Sequence, residues 1–115
     1  MPALAYIESN FRDKITSAQV AKACSMDAFK FSRTFKAAFG ITFKEYLVRI
    51  RIKEACRLLE KPDISITEVA YLCGFSDASY FSKVFRRFAG VCPSEYAEDS
   101  ACRDILSDER LALIL

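Results

Sequence analysis

Lysine and arginine recur at matched places in two stretches of this chain, Arg33 and Lys36 in the first and Lys83, Arg86 and Arg87 in the second. Such side chains neutralise phosphates, and arginine also pairs with guanine edges. At about 100° per residue, Phe29, Arg33, Lys36 and Ala37 share one helical face, as do Ser79, Lys83, Arg86 and Arg87. The opposite faces carry Phe31, Thr34, Phe35 and Ala38, and Phe81, Val84, Phe85 and Phe88, which read as core stripes. A solvated basic face is ordinary on one helix. Its recurrence in a second copy favours a polyanionic partner. Phe29 lies away from the core stripe, where a large aromatic needs a reason. Contact with thymine methyls or base edges is one explanation, and packing against the preceding helix is the other.

Other chemistries find little to work with. The 115 residues include no histidine and five cysteines, an odd count without a C-x-x-C pair. Zinc patterns and a disulfide framework are therefore not expected, and no cofactor is implied. Cys24, Cys56 and Cys73 lie in apolar stretches and read as small core residues. A catalytic thiol lacks a histidine to deprotonate it. With neither phosphate-cradling glycines nor a metal-ligand cluster, an enzyme is the least favoured class. No apolar run approaches the eighteen or so residues that span a bilayer, and the N-terminus lacks the pattern of a signal peptide, so a cytoplasmic location away from membranes is expected. The formal net charge of +2 hides an asymmetry. Up to Tyr96 there are 15 basic and 10 acidic residues, and from Ala97 onward 2 basic and 5 acidic. The charge is concentrated where a polyanion would be met.

Two copies of one unit position these faces. The segment from Asp27, DAFKFSRTFKAAFGITFKEYL, aligns with DASYFSKVFRRFAGVCPSEYA from Asp77, a repeat of roughly fifty residues. Phe31/Phe81, Ser32/Ser82, Phe35/Phe85, Gly40/Gly90, Glu45/Glu95 and Tyr46/Tyr96 coincide. Upstream, Val20-Ala21 and Cys24 match Val69-Ala70 and Cys73 one residue out of step, which places one extra residue near Gly74. Helix-start signals recur: Thr16 with Gln19 and Ser65 with Glu68 as capping boxes, and Ile15 with Val20 and Ile64 with Val69 as hydrophobic staples. Asp27 and Asp77 are N-caps, Gly40 and Gly90 end the following helices, Thr42 caps the next, and Pro93 suits a first helical turn.

These signals predict an all-α chain of about seven helices at 3–11, 17–24, 28–39, 43–60, 66–73, 78–89 and 94–99. No segment alternates with period two. The domain runs over 1–99, with helix-turn-helix units at about 17–39 and 66–89 joined by a long helix at about 43–60. In that helix Phe43, Leu47, Ile50 and Leu58 form one stripe, and Val48, Ile52, Ala55 and Leu59 another roughly 145° round, with Arg49 and Lys53 outward. Two stripes imply service to two cores. A helix of roughly 27 Å would hold two reading helices near one DNA turn, about 34 Å, apart in successive major grooves. Residues 100–115 form an acidic tail, either disordered or a short helix built on Ile105, Leu106, Leu111 and Leu113 to Leu115.

The stretch from Gly74 to Tyr96, GFSDASYFSKVFRRFAGVCPSEY, resembles the signature of the AraC/XylS family of bacterial transcription regulators. Arg51, Ala55, Leu58 and Leu59 fit the family as well, and the likeness extends over about residues 4 to 96. The resemblance implies a two-lobed helical domain that binds double-stranded DNA with both recognition helices and regulates transcription. Carried over position by position, it implies contacts from Phe29, Ser32, Arg33 and Lys36, and from Ala78, Ser79, Ser82, Lys83 and Arg86. Several of the second set are small, which suits backbone positioning more than direct readout. It also implies RNA polymerase as a partner and a sensing, receiver or dimerisation domain outside this chain. Ala97 stands where the family often has arginine, and Cys92 where threonine is commoner. A rival class, a helical protein-interaction module docking through Phe29 and the apolar C-terminus, has no need of matched cations in both repeats.

Overall fold

Backbone amides at a helix start have no partner within the helix, and this sequence supplies side-chain acceptors for them at nearly every start. Thr16 Oγ1 accepts from the Gln19 amide at 3.2 Å while its own amide donates to Gln19 Oε1 at 2.9 Å, a complete capping box. Asp27 accepts from the Lys30 amide at 2.8 Å, Thr42 from Glu45 at 3.2 Å and Ser65 from Glu68 at 3.0 Å. Asp77 accepts from Ser79 at 2.8 Å and Tyr80 at 3.3 Å. Each such cap is worth about 1 kcal/mol.

A computed structural model describes residues 2–98 of the chain. The helices are α1 (Pro2–Asn10), α2 (Ser17–Ala23), α3 (Ala28–Phe39), α4 (Phe43–Leu59), α5 (Ile66–Leu72), α6 (Ala78–Ala89) and α7 (Pro93–Glu98), and there is no strand among the described residues. The bounds of α3 and α6 coincide with those expected from sequence, α2, α4 and α5 end one residue earlier, and α1 and α7 are each shifted by one residue toward the N-terminus. The tail at 100–115, with its predicted short helix or disorder, lies outside the described residues.

Two compact units divide between Val48 and Arg49. The first takes α1, α2, α3 and the beginning of α4, with Ile7, Val20, Phe31 and Phe35 fully buried and Phe43 and Leu47 nearly so. The second takes the rest of α4 with α5, α6 and α7, and buries Ile52, Leu59, Val69, Phe81, Phe85 and Tyr96. The long helix is therefore shared lengthwise. Leu58, expected to stripe with Phe43 and Leu47, belongs to the second unit, because a side chain's partners depend on its height along the axis as well as its angle. Ile50 is only half-buried.

The turns explain the slip in the repeat. Each of α2 and α5 ends in a Schellman arrangement, with Met26 N–H donating to Ala21 O at 2.9 Å and Phe75 N–H to Ala70 O at 3.0 Å. The residue in the left-handed region is Ser25 (φ 58°) in the first unit and Gly74 (φ 96°) in the second. The inserted residue thus falls after Gly74, between the Schellman turn and the Asp77 cap. Cys73 is fully buried, as expected, whereas Cys24 at the equivalent place is only half-buried.

Side-chain exposure departs from the expected stripes at Ala38, Thr34, Phe88 and Arg49. Ala38, expected in the core stripe, is exposed, and in the last turn of α3 it is Phe39 that packs inward, half-buried against Phe35 and Tyr46. Thr34 and Phe88 are half-buried members of their stripes. Arg49, expected outward, is half-buried with its guanidinium 5.8 Å from the Phe88 ring centroid, while Lys53 is exposed. Among the described residues no helix is long and apolar enough to cross a membrane.

Replacing Phe85 with alanine removes a fully buried ring and is expected to destabilise the protein by about 3–5 kcal/mol; an unchanged urea midpoint would contradict its core role. Ser25→Gly relieves the left-handed strain and is expected to raise stability by roughly 0.5–1 kcal/mol, visible as a higher melting temperature, and a lower one would contradict it.

Candidate nucleic-acid interface

Each unit presents one twelve-residue helix on which every charged residue is a cation. On α3 these are Lys30, Arg33 and Lys36, and on α6 Lys83, Arg86 and Arg87, with all six side chains exposed. The buried faces hold them outward. In the first unit Phe31 and Phe35 lie 5.7 Å apart by ring centroids, and Phe35 meets Tyr46 edge-on at 5.4 Å and 74°. In the second, Phe81 and Phe85 lie 5.8 Å apart, and Phe85 meets Tyr96 at 5.5 Å and 75°. The same aromatic clasp therefore anchors α3 and α6, and two cations of each fall on equivalent outward positions, Arg33 with Lys83 and Lys36 with Arg86.

The sequence-derived site residues divide cleanly. Within α3, Phe29, Ser32, Arg33 and Lys36 are all exposed. Within α6, Ser79, Lys83, Arg86 and Arg87 are exposed, whereas Ala78 and Ser82 are half-buried at the edge of that face. At 72% exposure Phe29 is not a core residue, which disfavours packing against α2 as the reason for its position. Its neighbour is Arg33, whose guanidinium carbon lies 5.5 Å from the ring centroid.

Several residues escaped the sequence reading. Lys30 and Tyr80 occupy equivalent exposed positions flanking the two faces, and a helical wheel extended by one more residue contains them. Phe88 takes Arg87 at 4.5 Å as well as Arg49 at 5.8 Å, so α6 is tied to α4 through one ring with two guanidinium neighbours. Arg51 lies 5.8 Å from the Phe75 ring, and burial lowers its pKa, an effect opposed by Cys73 and Tyr80. No spacing rule links Arg51 to Phe75 or Arg49 to Phe88, because each pair joins helices distant in sequence.

The buried polar groups serve packing. Burial pushes the Cys56 thiol up to about 12 against the opposing hydrogen bond from Tyr96, so at neutral pH it is a protonated core side chain. Burial, reinforced by Glu8, also raises the Tyr46 pKa. Among the described residues no group of three or more cysteine, aspartate or glutamate side chains is placed to hold a metal ion.

Comparison with known proteins places this geometry. A family profile described as a helix-turn-helix domain matches residues 20–99. The HTH-type transcriptional activator RhaS of Escherichia coli O139:H28 is 39% identical over 84 residues, which are 73% of this chain and 30% of that protein. The chain thus spans about a third of the length of the curated relatives it matches. The DNA-binding domain of AdpA, a global transcriptional factor solved with a target DNA, superposes with a TM-score of 0.79 at 28% identity, covering 92% of this chain and 94% of that one. A transcriptional regulator with an AraC-type DNA-binding domain from Chromobacterium violaceum gives a TM-score of 0.79 at 25% identity, covering 89% and 88%. From the profile match across both units and the shared all-helical architecture, the chain belongs to the AraC-type helix-turn-helix family of transcription regulators.

Proposed function

We propose that this chain is the sequence-specific DNA-binding part of a longer transcription regulator, with α3 and α6 each entering a major groove. The observation that carries this reading is the cation-only exposed face found at equivalent positions of two separately packed helices. A helix fits the major groove, and exposed lysine and arginine on it replace the condensed counterions of the duplex. Lys36, Lys83 and Arg86 take the role of phosphate contacts, with Arg87 held beside them against Phe88. Ser32, Ala78, Ser79 and Ser82 are short enough to let the helix backbone approach the groove closely. The family and the AdpA complex, whose partner is DNA, support the same assignment.

For the whole protein, the proposal adds a sensing, receiver or dimerisation domain on the same polypeptide, RNA polymerase as a partner at the promoter, and action in the compartment that holds the chromosome. No catalytic step is part of it.

Salt dependence tests the electrostatic footprint. Fluorescence anisotropy with a labelled random-sequence duplex of about 25 base pairs should give binding in the range of about 1–100 µM at physiological salt that weakens steeply as salt is raised. A Lys36→Ala/Lys83→Ala/Arg86→Ala variant should flatten the slope of log K against log salt by up to about 2.7 units, roughly 0.9 for each phosphate contact removed. A slope identical to wild type would remove these residues from the interface. Absence of binding by the folded wild type at low salt would contradict the DNA reading itself.

A further inference from the structure

The two recognition helices are not equivalent where a base would be read. At the positions where α3 has Phe29 and Arg33, α6 has Ser79 and Lys83. Only the first pair makes a cation–π contact: the Arg33 guanidinium carbon lies over the Phe29 ring, 5.5 Å from its centroid, the two residues being one helical turn apart. The ring is 72% exposed, so it serves no core, and α3 carries no acid on its own length that would claim Arg33. A guanidinium over a ring keeps its edge donors available while one face is held, which is the preparation that bidentate pairing needs. Phosphate neutralisation requires no such ring, and exposed Lys30 and Lys36 already supply it on this helix.

We infer that Phe29 and Arg33 form one reading unit for a 5′-TpG step, Phe29 contacting the thymine 5-methyl and Arg33 pairing with guanine O6 and N7. Both groups lie in the major groove, and each matches the chemistry of its partner side chain. Because the side chains touch, their targets are neighbouring bases. The pyrimidine–purine step is the one that unstacks most readily, which lets a guanidinium lie beside the methyl while facing the guanine edge. The first unit thereby carries discrimination, and the second, with Ser79 and Lys83 at the same positions, carries mainly affinity. This inference rests on the proposal that α3 binds DNA.

The test begins with selection from a random pool of duplexes of about 25 base pairs by the wild type and by a Phe29→Ser/Arg33→Lys variant, the latter preserving charge. Both substitutions are on exposed side chains, and matching melting curves check that the fold is kept. The wild-type pool should be enriched in TpG and the variant pool should lose that enrichment. On the wild-type-selected duplex, thymine→uracil, which deletes only the methyl, should weaken wild-type binding about 4-fold and leave the variant unaffected. Guanine→adenine should weaken it about 5- to 150-fold. Tight binding without TpG enrichment, or with no response to uracil, would overturn the inference and leave DNA binding intact. Failure of the wild type to retain any duplex would overturn both.

Discussion

A phenylalanine pair spaced four residues apart, clasped edge-on by a tyrosine of the following helix, is the constraint on which each half of this protein depends. In one unit it is Phe31, Phe35 and Tyr46, and in the other Phe81, Phe85 and Tyr96, with nearly the same ring distances and angles. Burying the four phenylalanine rings supplies roughly 1.5–3 kcal/mol each, and the edge-to-face geometry adds about 0.5–1.5 kcal/mol per pair. That packing fixes the rotation of α3 and α6 about their own axes. Once the rotation is set, Arg33 and Lys36 in one copy and Lys83 and Arg86 in the other are turned away from the core and exposed.

Much of this was legible from local sequence, and the reason is that helix boundaries are local events. Asp27, Asp77, Gly40 and Gly90 each satisfy orphan backbone groups within a few residues of themselves, so their meaning did not depend on the tertiary fold. The extra residue near Gly74 was visible for the same reason, as a mismatch between two otherwise matching turns. What resisted reading was the surroundings of residues at helix ends and between helices. Ala38 is exposed while its neighbour Phe39 takes the packing against Tyr46, and the half-buried Arg49 lies beside Phe88, 39 positions along the chain. The lengthwise sharing of α4 was missed because a helical wheel records angle and discards axial position. Phe29 was open in the sequence because only a burial value separates an aromatic that packs from one that waits.

The two copies have diverged on the exposed face more than in the core, and the divergence has a physical direction. Core positions 31/81 and 35/85 are identical phenylalanines, since a shared clasp tolerates little change in volume. Outward, the first copy keeps an aromatic and an arginine in contact, while the second trades them for serine and lysine and adds Arg87 beside Phe88. Arginine on a ring is a directed donor, whereas lysine is a mobile point charge. A duplicated scaffold has thus been given two kinds of surface without altering how either unit is held together.

Whether both units meet DNA through the outward faces of α3 and α6, as proposed, is tested most directly by amide, methyl and aromatic chemical-shift mapping. A ¹⁵N,¹³C-labelled sample would be titrated with a duplex selected by the wild-type protein. Large shifts confined to α3, α6 and the residues that cap them, with the Phe29 ring resonances among the most affected, are the predicted result. Shifts centred on α1 or on the exposed Tyr71–Leu72 surface of α5, with α3 and α6 silent, would contradict it.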